Sequence, residues 1–237
     1  MFLAYLASIF AGIFYGVTES VNKDITEEKY SAFAYAFLQH VLIFILYFVP
    51  ALFYFRWPAS PVSYIYLILT ILITVTANTL DIKAYKTEDI SNITIVGNIN
   101  LVVSFLSGVI ILSEPFNIYK IIGLVAILAG ILVIFYEGKK IYFTKGILFA
   151  FIAGVIWGFS GIVDKMGLST INIISYTLLT HGSLAFLLLF HPKVRKDAPL
   201  IWHKYKKKII LSRLFVVMGL FLFLLEYSER GSVYHSY

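Results

Sequence analysis

A segment near the start of the chain recurs in its second half, 142 residues later. Residues 11–23 read AGIFYGVTESVNK and residues 153–165 read AGVIWGFSGIVDK, with alanine, two glycines, valine and lysine in identical places. Each copy holds a Gly-x-x-x-Gly pair inside an apolar run. Similarity at a fixed offset indicates an internal duplication, so the two halves of the chain should share one structural plan.

The composition places this duplication in a membrane. With 60% hydrophobic residues, 14% charged residues and a mean hydropathy of +0.87, the chain is too apolar for a soluble domain. A hydrocarbon core of ~30 Å takes ~20 apolar residues to cross. Eight runs approach or exceed this length: Leu3–Val21, Ser31–Phe55, Val62–Leu80, Asn92–Leu112, Ile118–Tyr136, Gly146–Val163, Asn172–Phe190 and Ile209–Leu225.

These runs predict an all-α integral membrane protein with eight transmembrane helices, arranged as five plus three. The first repeat is expected at residues 1–140 and the second at 141–237. Because five is odd, the second repeat must enter the membrane from the opposite side, which gives an inverted-repeat bundle typical of secondary transporters. Compared with the first repeat, the second is expected to lack its last two helices.

The basic residues predict the orientation. Fifteen of the 19 follow helices one, three, five and seven, and we expect that face to be cytoplasmic and the N-terminus to be outside. They are Lys23, Lys29, Lys83, Lys86, Lys139, Lys140, Lys145, Lys193, Arg195, Lys196, Lys204, Lys206, Lys207, Lys208 and Arg213. Because membrane orientation accounts for this charge, nucleic acid is not an expected partner.

Catalytic and cofactor signatures are missing from the sequence. It has no cysteine, phosphate-binding loop, dinucleotide fingerprint, zinc-ligand spacing or serine nucleophile elbow. We therefore expect no enzyme activity, no cofactor and no metal site.

Glu19 is a candidate for substrate binding or proton coupling. A carboxylate at membrane depth costs ~2.5–3.5 kcal/mol unless it faces a cavity or a partner. It lies on one helical stripe with Gly12, Gly16 and Lys23, and the second repeat has Gly161 in its place. The alternative is a carboxylate near the membrane surface that pairs with Lys23.

A pair of histidines is the second candidate. Tyr35–His40 and Tyr176–His181 match at an offset of 141, and each histidine lies near the middle of its predicted helix. The two could face one interface and form a site, or they could be packing residues preserved by common ancestry.

Other polar and aromatic residues in the apolar runs complete the predicted site: Tyr15, Trp157, Thr18, Ser160 and Asn98. The two aromatic rings could stack on a substrate or fill space beside the glycines. Asn98, close to Asn100, needs a hydrogen-bond partner or a wet cavity at membrane depth.

Three segments resemble the EamA-type drug/metabolite transporter superfamily: the polar turn Tyr85–Asn92, the sequence LSEPF at 112–116, and the Gly-x₆-Gly helix at 122–132. The Ala-Gly-x-x-aromatic-Gly openings of both repeats also fit. The resemblance implies a ten-helix inverted-repeat transporter in a bacterial or archaeal cytoplasmic membrane. Members usually have cytoplasmic termini, so the eight predicted helices and the outside N-terminus both depart from the pattern.

From these observations we expect a secondary transporter of small organic metabolites that works by alternating access, with the proton as a candidate coupling ion. The expected partners are a small-molecule substrate, the lipid bilayer and a second copy of the chain. Two alternatives stay open: a flippase for lipid-linked substrates with the same fold, and a truncated membrane protein that does not transport.

Overall fold

In a computed structural model of the protein, Ile25 and residues 30–113, 118–135 and 144–234 can be described. This part of the chain is almost entirely helical and contains no strand. Its helices are α1 (Ala32–Tyr54), α2 (Pro61–Tyr85), α3 (Ile90–Gly97), α4 (Ile99–Leu112), α5 (Ile118–Phe135), α6 (Lys145–Leu168), α7 (Ile173–Leu189) and α8 (Pro192–Tyr234). The helix predicted at Leu3–Val21 lies outside the described residues.

Helices α2 and α6 each run five residues beyond the end expected from hydropathy. The apolar runs stop at Leu80 and Val163, whereas the helices end at Tyr85 and Leu168. Side-chain caps set their starts: Ser60 Oγ accepts from the amide of Val62, and Thr144 Oγ1 accepts from the amide of Ile147. The extra turns bring polar residues into both helices.

The helix predicted at Asn92–Leu112 is divided in two. Asn98, with φ −61° and ψ −8°, ends α3 and precedes α4, and its amide bonds to carbonyls in the last turn of α3. Gly97 and Asn98 are both weak helix formers, which accounts for a break at this point. Residues Ser91–Leu112 together still have the length and hydropathy of one membrane span.

Helix α8 begins 17 residues before the predicted Ile209. The basic stretch that was expected to be part of a loop is therefore helical. Val194, Ala198 and Ile201 recur at helical spacing on one face and are almost completely buried. Burial of this stripe explains why a segment of low hydropathy continues the helix.

Several of these helices can cross a membrane. Among the described residues, α1, α2, the α3–α4 pair and α6 each have the required length and apolar composition, and α7 with residues 192–218 forms a fifth span if the two are counted together. Apolar side chains such as Phe53, Ile110 and Val133 are 73–78% exposed, as expected of surfaces that face lipid. The total of eight spans, five plus three, remains a prediction.

The described helices form two units. One unit comprises the described parts of Met1–Leu46 and Leu187–Tyr237, and its core joins Ala34, Tyr35 and Leu38 to the buried stripe of α8. The other unit is Tyr47–Phe186, which contains α2 to α6 and most of α7. Each unit draws on both sides of residue 140, and the division into repeats at 1–140 and 141–237 stays a prediction.

Glycines allow α6 to approach α3 and α4 within the second unit. A Cβ added at Gly154 would lie 2.9 Å from the carbonyl oxygen of Gly97, and one at Gly158 would lie 2.8 Å from that of Asn100. Both distances are too short for a side chain. The Gly-x-x-x-Gly pair of the second repeat therefore serves close helix packing, which is its usual role in membranes.

Candidate functional site

Polar side chains line the contact between α2 and α6, the most extensive helix pair in the described structure. Because Asp81 contacts Trp157 while Thr70 contacts Asp164, the two helices run antiparallel. We call this line of contacts the polar seam. It places one carboxylate four residues from the C-terminal end of each helix, and hence toward opposite ends of the seam.

Asp164 is the centre of a hydroxyl cluster at one end of the polar seam. Its Oδ1 accepts from Tyr176 at 2.6 Å and from Thr70 at 3.1 Å, and its Oδ2 accepts from Ser160 at 3.1 Å. The hydroxyls of Thr70 and Tyr176 are also 2.6 Å apart. These four residues, here called the Asp164 cluster, join α2, α6 and α7.

Most of the Asp164 cluster is buried. The three hydroxyl residues are 4–6% exposed, and Asp164 is half-buried. Within the part of the chain that the structure describes, the partners of the Asp164 carboxylate are hydroxyl groups and no cation. A carboxylate held in this way has its hydrogen bonds satisfied, but its charge is not neutralised.

Asp81 holds Trp157 further along the polar seam. The indole Nε1 donates to Oδ2 of Asp81 at 2.8 Å, which fixes the orientation of the ring across the helix pair. Trp157 is half-buried. The sequence predicts two alternative roles for Trp157, which are space filling and stacking on a substrate. For stacking, the bond to Asp81 would hold the ring in one orientation.

Glu88 lies beyond the Asp81 end of the polar seam, outside the apolar segments. Its Oε2 accepts from Thr144, which caps α6, and its Oε1 accepts from Asn92 Nδ2 at 2.9 Å. Gly146 leaves room for this contact, because a Cβ there would lie 2.5 Å from that of Glu88. Burial raises the pKa of the carboxyl, but hydrogen bonds from Thr144, Asn92 and the amide of Asp89 outweigh burial, and the pKa falls below its ordinary 4.5.

This lowered pKa predicts how stability depends on pH. A carboxyl that loses its proton more readily in the folded state stabilises that state above its unfolded pKa, and the contribution is lost as pH falls through the folded pKa. We expect E88Q to lower the unfolding temperature at neutral pH, and the difference from wild type to shrink below about pH 4.5. Scanning calorimetry in detergent across this range measures both effects.

The matched control for this experiment is D89N, since the Asp89 side chain makes no capping bond to α3. D89N should lower the unfolding temperature at neutral pH less than E88Q does. A wild-type to E88Q difference that stays constant from neutral to acidic pH would refute the proposed stabilisation by the ionised carboxylate.

The two predicted histidines lie in different units. His40 on α1 is 7% exposed and His181 on α7 is half-buried, and each interacts with another group of the chain. The idea that the histidines form one site stays a prediction.

The other predicted residues divide into three groups. Ser160 and Trp157 belong to the polar seam, where each bonds to a carboxylate. Asn98 lies at the break between α3 and α4, and the carbonyl oxygen of the nearby Asn100 side chain is buried with no hydrogen-bond partner among the described residues. Tyr15, Thr18 and Glu19 lie outside the described residues.

An apolar groove of about 430 Å³ lies between α4, α5 and α6. Gly108, Gly123 and Gly161 form part of its wall, with Ser104 and Lys165 as polar members. A Cβ at Gly161 would lie 3.0 Å from Ser104 Oγ.

Sequence reasoning missed Asp81, Asp164, Thr70 and Tyr176 as site residues. The signal was present, because both acids directly follow apolar runs and Asp164 matches Asn22 in the duplication. Among the described residues, no group of three or more histidine, cysteine or acidic side chains could hold a metal ion.

Comparison with known proteins identifies the family. The model of the EamA-like transporter family matches residues 2–136, which is more than half of the 237 residues. The chain belongs to the EamA-like transporter family. No curated protein and no solved structure gives a significant match. This EamA-like protein is thus a multi-pass membrane protein of a family of transporters, as the resemblance implied.

Proposed function

We propose that this EamA-like protein is a secondary transporter that moves small organic metabolites across the cytoplasmic membrane by alternating access, driven by protons. The observation that carries the proposal is the Asp164 cluster. A carboxylate in a membrane helix is costly, and such residues usually belong to substrate or proton pathways. The family match supports transport, and the cluster adds a group that can bind and release a proton.

The Asp164 cluster can accept a proton without losing its hydrogen bonds. Hydroxyl groups donate to a carboxylate and also accept from a carboxylic acid. Once Asp164 is protonated, its O–H can donate to Tyr176 or Thr70, and the Tyr176 hydroxyl can turn toward Thr70, which is 2.6 Å away. Both charge states therefore have a satisfied arrangement of the same four side chains.

Protonation also changes how strongly three helices are held together. Hydrogen bonds to a charged acceptor are roughly twice as strong as neutral ones. The ionised Asp164 binds α2 and α7 to α6 through two such bonds, from Thr70 and Tyr176, and the neutral acid binds them less firmly. Proton binding thereby favours rearrangement of these helices, which alternating access requires.

Substrate binding is assigned to the aromatic and polar residues predicted from the duplication. Trp157 presents a ring held by Asp81. Tyr15, its counterpart in the first repeat, is proposed to contribute a second ring, with Glu19, Thr18, Ser160, Asn98, His40 and His181 as polar contacts. Rings paired with a few polar groups suit small organic solutes that have a flat or apolar part.

Reconstitution tests transport directly. Purified protein in proteoliposomes is offered labelled amino acids, nucleobases, sugars and organic acids under an imposed pH gradient, with empty liposomes as the control. We expect accumulation of one chemical class above equilibrium, and weaker uptake of that class by W157A than by W157F. Movement of a lipid-linked substrate alone would favour the flippase, and failure of every substrate class would favour a protein that does not transport.

A further inference from the structure

The positive charge of the chain is concentrated in one helical segment. Residues 192–208, at the start of α8, contain seven of the 19 basic residues and one of the 13 acidic residues. The rest of the chain therefore has twelve of each sign and is formally neutral. The excess of +6 belongs to these 17 residues alone.

Packing of α8 leaves this charge exposed. Val194, Ala198 and Ile201 face the core that they share with α1, and each is at most 6% exposed. The one acidic residue, Asp197, accepts a hydrogen bond from the amide of Ser31 at 2.8 Å. Asp197 is thus engaged with the chain near α1, while Lys206 and Lys207 lie exposed.

Four lysines occupy the end of the segment, at the boundary with apolar sequence. Lys204, Lys206, Lys207 and Lys208, here called the lysine cluster, directly precede the apolar run at 209–225. Tyr205, packed against the core, lies between them, and the ammonium groups of Lys204 and Lys208 are 5.1 and 6.0 Å from its ring centroid. An aromatic ring among lysines beside an apolar span is typical of the headgroup region.

We propose that the lysine cluster binds anionic phospholipid headgroups of the surrounding bilayer. Clustered lysines next to a membrane span attract phosphate groups, and each adds to the affinity. This inference does not depend on the proposed transport, because it concerns only how the folded protein is held in its membrane.

Nanodiscs of defined lipid composition test the inference. We expect the unfolding temperature of wild type to rise by roughly 5 °C when a neutral phosphatidylcholine bilayer is enriched in phosphatidylglycerol, and the rise to shrink at high salt. K204Q/K206Q/K207Q/K208Q should lose most of this rise. K83Q/K86Q, which removes two exposed lysines elsewhere on the predicted cytoplasmic face, should keep it.

Three results would overturn the inference. They are an undiminished rise in the fourfold variant, an equal loss in K83Q/K86Q, and an equal rise produced by soluble inorganic phosphate in neutral nanodiscs. If the fourfold variant does not fold, K206Q/K207Q replaces it, because both of these side chains are exposed. That variant should lose about half of the rise if the lysines contribute equally.

Discussion

Replacing Gly158 by alanine is expected to lower the free energy of unfolding by about 1–3 kcal/mol, and replacing it by leucine to prevent folding. An alanine Cβ would lie 2.5 Å from Val103 Cβ and 2.8 Å from the carbonyl oxygen of Asn100. A backbone carbonyl inside a packed helix cannot move aside as the end of a side chain can. The clash therefore forces α6 away from α4 and weakens the packing of the whole unit. Thermal unfolding in detergent measures the loss.

Gly130 provides the matched control, since it lies in a helix of the same unit and a Cβ there would meet nothing within 4 Å. G130A should unfold at the wild-type temperature or slightly higher, because alanine favours a helix more than glycine does. Equal losses of stability in G158A and G130A would show that general sensitivity of membrane helices to substitution, rather than close approach, explains the effect.

The second large effect is expected from D164N in proteoliposomes. Asparagine keeps the shape of aspartate and can still bond to Thr70, Ser160 and Tyr176, but it cannot take up a proton. Accumulation driven by a pH gradient should fall to passive equilibration, while exchange of labelled for unlabelled substrate continues. Separate assays of accumulation and exchange distinguish loss of coupling from loss of folding.

Asp81 is the control for this second prediction, because it is the other carboxylate of the polar seam and accepts a hydrogen bond from Trp157. D81N should weaken substrate exchange through the loss of ring orientation and leave proton coupling in place. Equal accumulation by D164N and wild type would remove Asp164 from the coupling role and return attention to Glu19, His40 and His181.

The family and the membrane character followed from the sequence, because they depend on hydropathy and short motifs. The positions of α1, α5 and α7 were predicted to within a residue or two. The sequence analysis missed both carboxylates of the polar seam for one reason. A hydropathy profile ends a predicted helix at the first charged residue. Asp81 and Asp164 stand directly after the predicted ends at Leu80 and Val163, yet each helix continues beyond its carboxylate, which bonds to a neighbouring helix.

The basic start of α8 was misplaced by the same reasoning. Hydropathy averages over all faces of a helix, so seven basic residues concealed the stripe of Val194, Ala198 and Ile201. The break at Asn98 depends on two adjacent weak helix formers, Gly97 and Asn98, within an apolar run. An average of hydropathy does not detect such a pair either.

Proton movement caused by substrate tests the central claim most directly. Proteoliposomes containing a pH-sensitive dye, with no imposed pH gradient, receive the transported metabolite on one side only. If the Asp164 cluster couples substrate movement to proton movement, the interior acidifies as wild type carries substrate inward. With D164N the interior pH stays constant. Inward movement of substrate by wild type without any change in interior pH would contradict the account.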